Sequence, residues 1–424
     1  MSNDNLIHRI GRKAESAERP RAETIATNAA VGEACNVRSV APPLCLSATY
    51  AWDDPDDKPA FDYSRSGNPT RRQLEETLSA LEEGAGAVVT ASGMAAVNLP
   101  TNLVKPGELI IAPHDLYGGS YRLLSHRAAR GDFELVFVDQ TDPVALDAAF
   151  ARKPKLVYIE TPSNPLLRVT DVKDVVARAK AVDAITVADN TFLSPALQKP
   201  LTLGCDIVVH STTKYINGHS DVVGGAVIAK DPALAEELAW WGNCTGVTGS
   251  PFDSYLTLRG VRTLFTRIER QQATAGKIAE ILAADPRVER VYYPGLKDHP
   301  GHEIAARQQS GFGAMLSVDF AEGIDACSFL RSLNIFTIAE SLGGFESLVC
   351  CPAAMTHAAM PPEARAEAGI SDRLVRLSIG LEHEEDLAAD IKYALSAAQQ
   401  DEPVASGPSR KRVTSPAVDK VAAI

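Results

Sequence analysis

The sequence predicts an α/β protein, with a large domain built on a mainly parallel β-sheet and a smaller α+β domain after it. Short runs rich in Val, Ile and Leu recur between about residues 105 and 230, as expected of buried strands. Segments with helical apolar spacing fill most of the gaps, and this alternation implies right-handed crossovers in a mainly parallel sheet. Beyond about residue 257 the alternation stops, which indicates a second domain.

The elements of the large domain follow from these runs and from helix boundary signals. Asn68 stands where an N-cap belongs, Pro69 takes the first helical position, leucines repeat on one face, and Gly84 is the expected stop. The segment 169–183 is a helix opened by Thr170 or Asp171. The predicted strands are residues 87–89, 109–112, 135–138, 156–159, 185–188, 207–209 and 226–229.

The second domain begins with a long polar helix at 262–285 and ends with a helix at 384–398, with strand-like runs at 313–320 and 374–382 between them. Both chain ends are polar and lack periodicity. The sequence therefore divides into an N-terminal segment 1–62, a large domain 63–256, a C-terminal domain 257–398 and a disordered tail 399–424.

Composition excludes several classes of protein. With 45% hydrophobic and 23% charged residues, the 424-residue chain has the profile of a globular protein. A net charge of -12 leaves no basic field for nucleic acid or an anionic membrane, and no apolar run is long enough to cross a bilayer. Seven scattered cysteines without a C-x-x-C pair suggest neither disulfides nor a metal module. We expect a reduced, cytoplasmic protein.

Candidate functional residues follow three predicted strands, where an open α/β sheet collects its chemistry. Asp189 follows strand 185–188, Lys214 follows strand 207–209 after three hydroxyl residues, and Gly93 opens a helix after strand 87–89. Each has an ordinary alternative: a turn carboxylate, a surface lysine and a tight-turn glycine.

Taken together, the three positions match what pyridoxal phosphate needs. A lysine at the mouth of a buried sheet is desolvated and becomes nucleophilic towards a carbonyl. Small residues at a helix N-terminus expose N–H groups to phosphate, and a carboxylate pairs with the pyridinium nitrogen. No Walker A sequence, G-x-S-x-G elbow or zinc-protease helix competes with this interpretation.

Longer blocks surround these positions, among them DYSRSGNPTR, HSTTKYINGHSDVVGG and LVRLSIGLE. With six further blocks they resemble the Cys/Met-metabolism family of pyridoxal-phosphate enzymes over about residues 22–396. Residues 115–123 and 239–260 look most like the cystathionine γ-synthase branch of bacteria. The resemblance implies fold type I. The nine blocks are residues 62–71, 91–96, 112–123, 161–168, 187–198, 210–225, 339–344, 355–371 and 374–382.

The resemblance also implies a role for each matching residue. Lys214 would hold the cofactor and move protons, Asp189 would pair with its ring nitrogen, and Tyr117 would stack on the ring. Tyr63 and Arg65 would reach the phosphate from a neighbouring subunit, so the chain would form a homotetramer of two site-sharing dimers. The remaining phosphate contacts would come from the backbone of Gly93 and Met94 and from Ser211 and Thr213.

On the substrate side, Arg376 would clamp the α-carboxylate bidentately, and Asn164 would help near both the ring oxygen of the cofactor and that carboxylate. Ser341 would support Lys214. Without the family blocks, three of these residues would have ordinary interpretations: Arg376 as a surface or ion-paired arginine, Tyr117 as a packing residue and Glu340 as a solvent-facing acid. The residues implied at the far end of the substrate are Arg122, Asp62 and Glu340.

The implied activity is γ-replacement in methionine biosynthesis and transsulfuration, in which L-cysteine replaces the acyl group of O-succinyl- or O-acetyl-L-homoserine to give L-cystathionine. Ser66 stands where succinyl-type enzymes are expected to carry a second arginine, which leaves the acyl group open. Glu340 disfavours a cystathionine β-lyase, because the family pattern for that enzyme has an aromatic residue at this position. The alternatives are a cystathionine γ-lyase, an O-acylhomoserine sulfhydrylase, or a non-catalytic binding protein that keeps the fold.

Overall fold

The structure is a computed structural model that describes residues 20–31, 39–358 and 360–399. The predicted N-terminal segment is therefore described only in part, and the predicted tail lies outside the described residues apart from residue 399. Within the described part, no helix combines the length and hydropathy needed to cross a membrane.

Two β-sheets organise this part of the chain, one of seven strands and one of five. The seven predicted strands are all present in the larger sheet. The larger sheet contains β1 (Gly86–Thr90), β2 (Leu109–Pro113), β3 (Glu134–Val138), β4 (Leu156–Glu160), β5 (Ile185–Asp189), β6 (Ile207–His210) and β7 (Gly225–Ala229). The smaller sheet contains β8 (Val288–Tyr292), β9 (Met315–Phe320), β10 (Thr337–Ile338), β11 (Leu348–Cys350) and β12 (Leu374–Ser378).

The larger sheet has the order β1-β7-β6-β5-β4-β2-β3, and only β7 runs antiparallel to its neighbours. The predicted mainly parallel sheet is thus confirmed. Because β4, β5 and β6 are adjacent and parallel, their carboxyl ends meet at one edge, where Glu160 is the register partner of Asp189.

The helices cover both faces of this sheet and one side of the smaller one. They are α1 (Ala22–Thr27), α2 (Pro69–Glu82), α3 (Gly93–Asn98), α4 (Gly118–Ala129), α5 (Pro143–Phe150), α6 (Val172–Ala181), α7 (Ser194–Leu197), α8 (Pro200–Leu203), α9 (Pro232–Thr245), α10 (Pro251–Val261), α11 (Leu264–Ala283), α12 (His302–Gln308), α13 (Ala326–Ser332), α14 (Pro362–Ala368) and α15 (Glu384–Ala397), with a short 3₁₀ helix at Leu99–Leu103.

The sequence signals predicted the start of α2 correctly, but they did not predict which residue ends it. Asn68 caps the helix, since its side chain accepts from the N–H groups of Thr70 and Arg71. The helix ends at Glu82, and Glu83 rather than Gly84 takes the left-handed conformation, with φ 63°. Gly84 is instead required by close packing, because a Cβ there would lie 2.4 Å from the Ile228 side chain.

The smaller sheet has the order β10-β11-β12-β9-β8, antiparallel except for the pair β10–β11. Phe192 and Tyr215, from the loops that follow β5 and β6, belong to the same apolar cluster as the core of this sheet. The carboxyl edge of the large sheet is therefore packed against the second sheet. The exact domain boundaries stay a prediction.

Candidate active site

A cavity of about 420 Å³ opens at the carboxyl edge of the large sheet, beneath the smaller sheet. It is lined by residues from both parts of the chain, as expected of an α/β sheet whose strand ends carry the chemistry. The predicted site residues that line it are Gly93, Met94, Tyr117, Asn164, Asp189, Ser211, Thr213, Lys214, Glu340, Ser341 and Arg376.

One end of the cavity is formed by the start of α3. Ser92 caps this helix by accepting from the Ala95 N–H at 3.1 Å, and the N–H groups of Gly93 and Met94 come first in the helix, where they have no intrahelical partner. A Cβ on Gly93 would lie 2.6 Å from the Cβ of Ser211. Glycine is therefore required here by a close approach, and the alternative of a simple turn does not explain it.

The loop after β6 is held by hydroxyl groups on both sides. The Ser211 N–H donates to Thr191 Oγ1 at 2.9 Å, and the Thr213 hydroxyl bonds to the backbone of Gly224, accepting from its N–H at 3.0 Å. Ser211 and Thr213 thus stand in a rigid loop next to the free amides of α3. This end of the cavity offers hydroxyl and N–H donors, the groups that bind phosphate.

Two carboxyl groups lie side by side at the ends of β4 and β5. Asp189 accepts from the Thr191 N–H at 2.9 Å, so it also makes the turn that was its ordinary alternative. Desolvation in the cavity raises the pKa of Asp189, and desolvation together with Asp189 raises the pKa of Glu160 well above its usual range. A cation is the ligand that would relieve this pair, and a pyridinium nitrogen is one.

Lys214 lines the cavity from the loop that follows β6. Its Nζ donates to the Ser341 hydroxyl at 2.7 Å. Desolvation and the nearby Arg376 guanidinium lower the pKa of Lys214 to about 8, although Glu340 opposes this shift. Lys214 is therefore no ordinary surface lysine, because a much larger share of its amine is neutral near pH 7 than in an exposed side chain.

Arg376 lies on β12 and is only 3% exposed, which excludes the surface alternative. It donates to Asn164 Oδ1 at 2.7 Å and to the Ser341 carbonyl at 3.0 Å. Among the described residues no carboxylate forms an ion pair with it. A buried guanidinium with only neutral acceptors is costly, so the geometry suits an anionic ligand such as a carboxylate.

Tyr117 immediately precedes α4 and is 40% exposed, so it is not a core packing residue. Its N–H donates to Glu160 Oε2 at 2.9 Å. Its ring lies directly over Gly119, where a Cβ would come within 2.5 Å of Tyr117 Cε1. Desolvation and Glu340 raise the pKa of the Tyr117 hydroxyl. The ring is thus fixed at the cavity wall with a face available for stacking.

Four predicted residues do not line this cavity. Arg65 donates to the Asn243 carbonyl at 2.8 Å, with Tyr63 beside it, and Asp62 pairs with Lys58 at 3.0 Å. Arg122 is exposed on α4 but is near enough to act on the pKa of Tyr117. Tyr63 and Arg65 are therefore outside their own chain's site, and their contribution to a neighbour's site stays a prediction.

Among the residues of the site that escaped the sequence analysis, three hold or adjoin Asn164 and Tyr117. Glu160 accepts from the N–H groups of both Tyr117 and Asn164. Thr356 lines the cavity, and the buried His357 next to it contacts the Asn164 carbonyl. A signal existed for Glu160, because it ends a buried strand as Asp189 does. His357 lies within a family block but had no role assigned.

The residues present fit pyridoxal phosphate. Free amides and hydroxyls stand at one end, a carboxyl pair that needs a cation stands at the sheet edge, and an amine with a pKa of about 8 lines the same cavity as the arginine. Among the described residues, no group of three or more His, Cys, Asp or Glu side chains is placed to hold a metal ion.

Comparisons with known proteins agree with this geometry. The family model described as Cys/Met metabolism PLP-dependent enzyme matches residues 23–396. Cystathionine γ-synthase of Escherichia coli K12 is 54% identical over 380 residues, which cover 89% of this chain and 98% of that protein. Cystathionine β-lyase of Lactococcus lactis is 46% identical over 357 residues, covering 84% and 94%.

Among solved structures, the fold is similar to cystathionine γ-synthase of Xanthomonas oryzae pv. oryzae in complex with cystathionine. The two superpose with a TM-score of 0.89 and 55% sequence identity, over 90% of this chain and 99% of the other.

Proposed function

The chain belongs to the Cys/Met-metabolism family of pyridoxal-phosphate-dependent enzymes, and from this premise we propose that it catalyses γ-replacement. In this reaction L-cysteine replaces the acyl group of an O-acyl-L-homoserine and L-cystathionine is formed. The observation that carries the amino-acid chemistry is the buried arrangement in which Ser341 holds both Lys214, through its hydroxyl, and Arg376, through its carbonyl. It places a proton-transferring amine beside a carboxylate clamp. Within that chemistry, the similarity to two cystathionine γ-synthases favours γ-replacement.

When bound, pyridoxal phosphate supplies an electron sink for the carbanions that form on the amino acid. Arg376 and Asn164 bind the α-carboxylate of the substrate, which leaves its Cα facing Lys214. The Lys214 amine removes the Cα proton and later returns it. Ser341 keeps the amine oriented between these steps through its hydrogen bond of 2.7 Å.

The exchange itself breaks the Cγ–O bond of the acylhomoserine and forms a Cγ–S bond. The acyl group leaves as a carboxylate, and the cysteine thiol loses one proton, so charge is conserved. The protein's contribution is positioning and proton transfer, and both depend on an intact Lys214, Asp189 and Arg376. The presence of all three in one cavity also argues against the non-catalytic alternative.

The acyl group is the open part of the proposal. Ser66 donates to Asp62 and to the Tyr63 carbonyl, and so adds no cation to the substrate end. Arg122 is the cation that remains available to a succinyl carboxylate. The γ-lyase and sulfhydrylase alternatives use the same cavity. Glu340, an acid that lines the cavity near Lys214 and Tyr117, disfavours a β-lyase on the family pattern given above.

A direct experiment compares kcat/KM for O-succinyl- and O-acetyl-L-homoserine with cysteine, for the same donors with sulfide, and for cystathionine alone. We expect cystathionine formation from an acylhomoserine and cysteine to be the fastest reaction. Release of 2-oxobutyrate from cystathionine at a higher kcat/KM would establish the γ-lyase instead. Lys214→Ala protein serves as the blank.

We further propose that the enzyme is a cytoplasmic homotetramer in which Tyr63 and Arg65 complete the phosphate site of a neighbouring subunit. The support is that both residues lie outside their own chain's cavity, where Tyr63 is half exposed.

Subunit mixing tests this arrangement. Hybrids of Arg65→Ala and Lys214→Ala chains contain one complete site if sites are shared, and we expect them to regain activity. Hybrids of Arg376→Ala and Lys214→Ala chains are the control, because both residues belong to the same chain's site and no hybrid site is complete. Equal activity of the two verified hybrids contradicts site sharing.

A further inference from the structure

His357 is a fully buried histidine that the mechanism above does not use. It lies between β11 and α14 and is 0% exposed. Its Nε2 lies 3.0 Å from the Asn164 carbonyl, and its Nδ1 lies 2.9 Å from the Thr356 hydroxyl. It thus connects a loop of the C-terminal part of the chain with the loop that follows β4.

The two contacts define the protonation of the ring. A carbonyl oxygen only accepts, so Nε2 carries the hydrogen, and Nδ1 is left to accept from the Thr356 hydroxyl. Burial, followed by the Arg376 guanidinium, lowers the pKa of His357 to about 4. The ring is therefore neutral at physiological pH, with its single N–H directed at the Asn164 carbonyl.

The partner of His357 is the central residue of the carboxylate clamp. Asn164 donates its N–H to Glu160 Oε1 at 3.0 Å, and its side-chain oxygen accepts from Arg376 at 2.7 Å. Its carbonyl accepts from His357. Glu160 holds Asn164 from the large sheet and Arg376 holds it from β12. His357 is the contact that joins it to the loop before α14.

The loop that contains Thr356 and His357 also packs against the start of α4, next to Tyr117. A Cβ on Gly118 would lie 2.8 Å from the Thr356 carbonyl and 3.6 Å from the His357 Cα. Because this packing leaves no slack, a shift of the loop moves the backbone beside Tyr117.

We propose that His357 is a positioning residue for the α-carboxylate clamp. By donating to the backbone carbonyl of Asn164, it fixes the side-chain oxygen of Asn164, which orients Arg376. The same hydrogen bond holds the loop of His357 in place beside Tyr117. His357 neither touches the substrate nor transfers protons. The inference rests on the proposed clamp role of Asn164 and Arg376, but not on the identity of the acyl group.

Two substitutions of His357 distinguish the contact made by Nε2 from the contact made by Nδ1. Gln places its amide nitrogen near the position of Nε2 and keeps the donor to Asn164, whereas Asn reaches only as far as Nδ1 and loses that donor. The holoenzyme is titrated with L-norleucine and with n-pentylamine, its counterpart without the carboxylate, and binding is followed by visible absorbance. We expect His357→Asn to weaken norleucine binding about tenfold, the scale of one buried hydrogen bond.

Pentylamine binding should stay within about twofold in the same variant, since this ligand does not use the clamp. His357→Gln should recover most of the norleucine affinity. KM for the acylhomoserine should rise more than kcat falls, and the pH profile of kcat should keep its shape. Equal weakening of both ligands, or unchanged norleucine binding, overturns the proposal.

His302→Gln is the matched control, because His302 contacts a backbone carbonyl, that of Pro294 at 2.8 Å, through Nδ1 and outside the cavity, so that Gln removes this donor as Asn removes the Nε2 donor of His357. Amide hydrogen exchange of the cofactor-free protein at residues 351–358 should quicken in His357→Asn and not in His302→Gln. If His357→Asn does not fold, Thr356→Val replaces it, with the same selective loss expected. Failure of the proposed function appears instead as wild-type protein that forms no cystathionine.

Discussion

The two sides of the cavity are built in different ways. On the cofactor side, Gly93, Asp189 and Ser211 stand at or just beyond the ends of strands of a single sheet, so the hydrogen bonds of that sheet set their positions. On the clamp side, the residues come from loops and from the second sheet. The cofactor side is therefore as rigid as its sheet, whereas the clamp side depends on how the two sheets pack together.

Contacts on the clamp side span long stretches of sequence. The hydrogen bonds Lys214–Ser341, His357–Asn164 and Arg376–Asn164 join residues 127, 193 and 212 positions apart. Each such contact is formed only when the whole fold is in place. Substitutions on this side should therefore change substrate binding first, and substitutions on the cofactor side should change stability and cofactor binding as well.

Lys214 belongs to both sides, and its substitution should have the largest effect. Lys214→Ala removes the proposed proton carrier, and we expect kcat for cystathionine formation to fall by about 10²–10⁴ or more. Lys199→Ala is the control, since Lys199 pairs with Glu83 outside the cavity. Residual turnover above a tenth of the wild-type rate would contradict the assignment of Lys214.

Arg376→Lys tests the clamp side alone. Lysine keeps the charge but cannot reproduce two directed hydrogen bonds, so we expect kcat/KM to fall by about 10²–10³, as charged hydrogen bonds contribute about 1.5–3 kcal/mol each. Cofactor binding should be nearly unchanged. The control is Arg373→Lys, three residues earlier, where the arginine pairs with Glu289 on the surface. An equal loss of kcat/KM in both variants would contradict a special role of the clamp side in substrate binding.

Gly93→Ala tests the rigidity of the cofactor side. The new Cβ would lie 2.6 Å from the Ser211 Cβ. We expect the free energy of unfolding to fall by about 1–3 kcal/mol, together with weaker phosphate binding. Gly276→Ala makes the same chemical change in α11, where the nearest atom is 4.0 Å away, and it should stabilise the helix by about 0.5–1 kcal/mol. Urea unfolding measures the free energy of unfolding of both variants. An unchanged value in Gly93→Ala would show that the cofactor side shifts to accommodate the added Cβ.

The pH dependence of cofactor capture should show the smallest effect. Only a neutral amine attacks a carbonyl, and the pKa of Lys214 is lowered from 10.5 to about 8. The rate at which cofactor-free protein captures pyridoxal phosphate should therefore rise about tenfold between pH 7 and 9 and then level off, whereas an unshifted lysine would rise about 100-fold. A rise that continues to pH 10 would show that burial and the nearby Arg376 do not lower the pKa of Lys214 in this way.

Much of the cofactor side was predictable from the sequence, because strand ends in an α/β sheet are visible as the ends of apolar runs. Asp189 and Lys214 were predicted in this way, and the structure places both in the cavity lining. Arg376 was found only through the family resemblance, since an arginine inside an apolar strand can face either side. The fold class, the family and the cofactor are confirmed by the comparisons, while the roles of Tyr63 and Arg65 stay predictions.

Glu160 and His357 were missed for a common physical reason. Both act on backbone groups, Glu160 on the N–H groups of Tyr117 and Asn164 and His357 on the Asn164 carbonyl. Side-chain patterns do not encode which distant backbone group a buried side chain meets. The strand end gave a signal for the position of Glu160, but the backbone contacts of both residues become apparent only when the chain is folded.

Ser341 has a left-handed backbone, with φ 85°, although it is not a glycine. This conformation costs about 1–3 kcal/mol, and glycine would avoid most of that cost. A glycine, however, has no hydroxyl to hold Lys214. Selection for a more stable fold and selection for a faster enzyme therefore act in opposite directions at this position, so directed evolution for thermostability alone should enrich Ser341→Gly and lose activity as it does so.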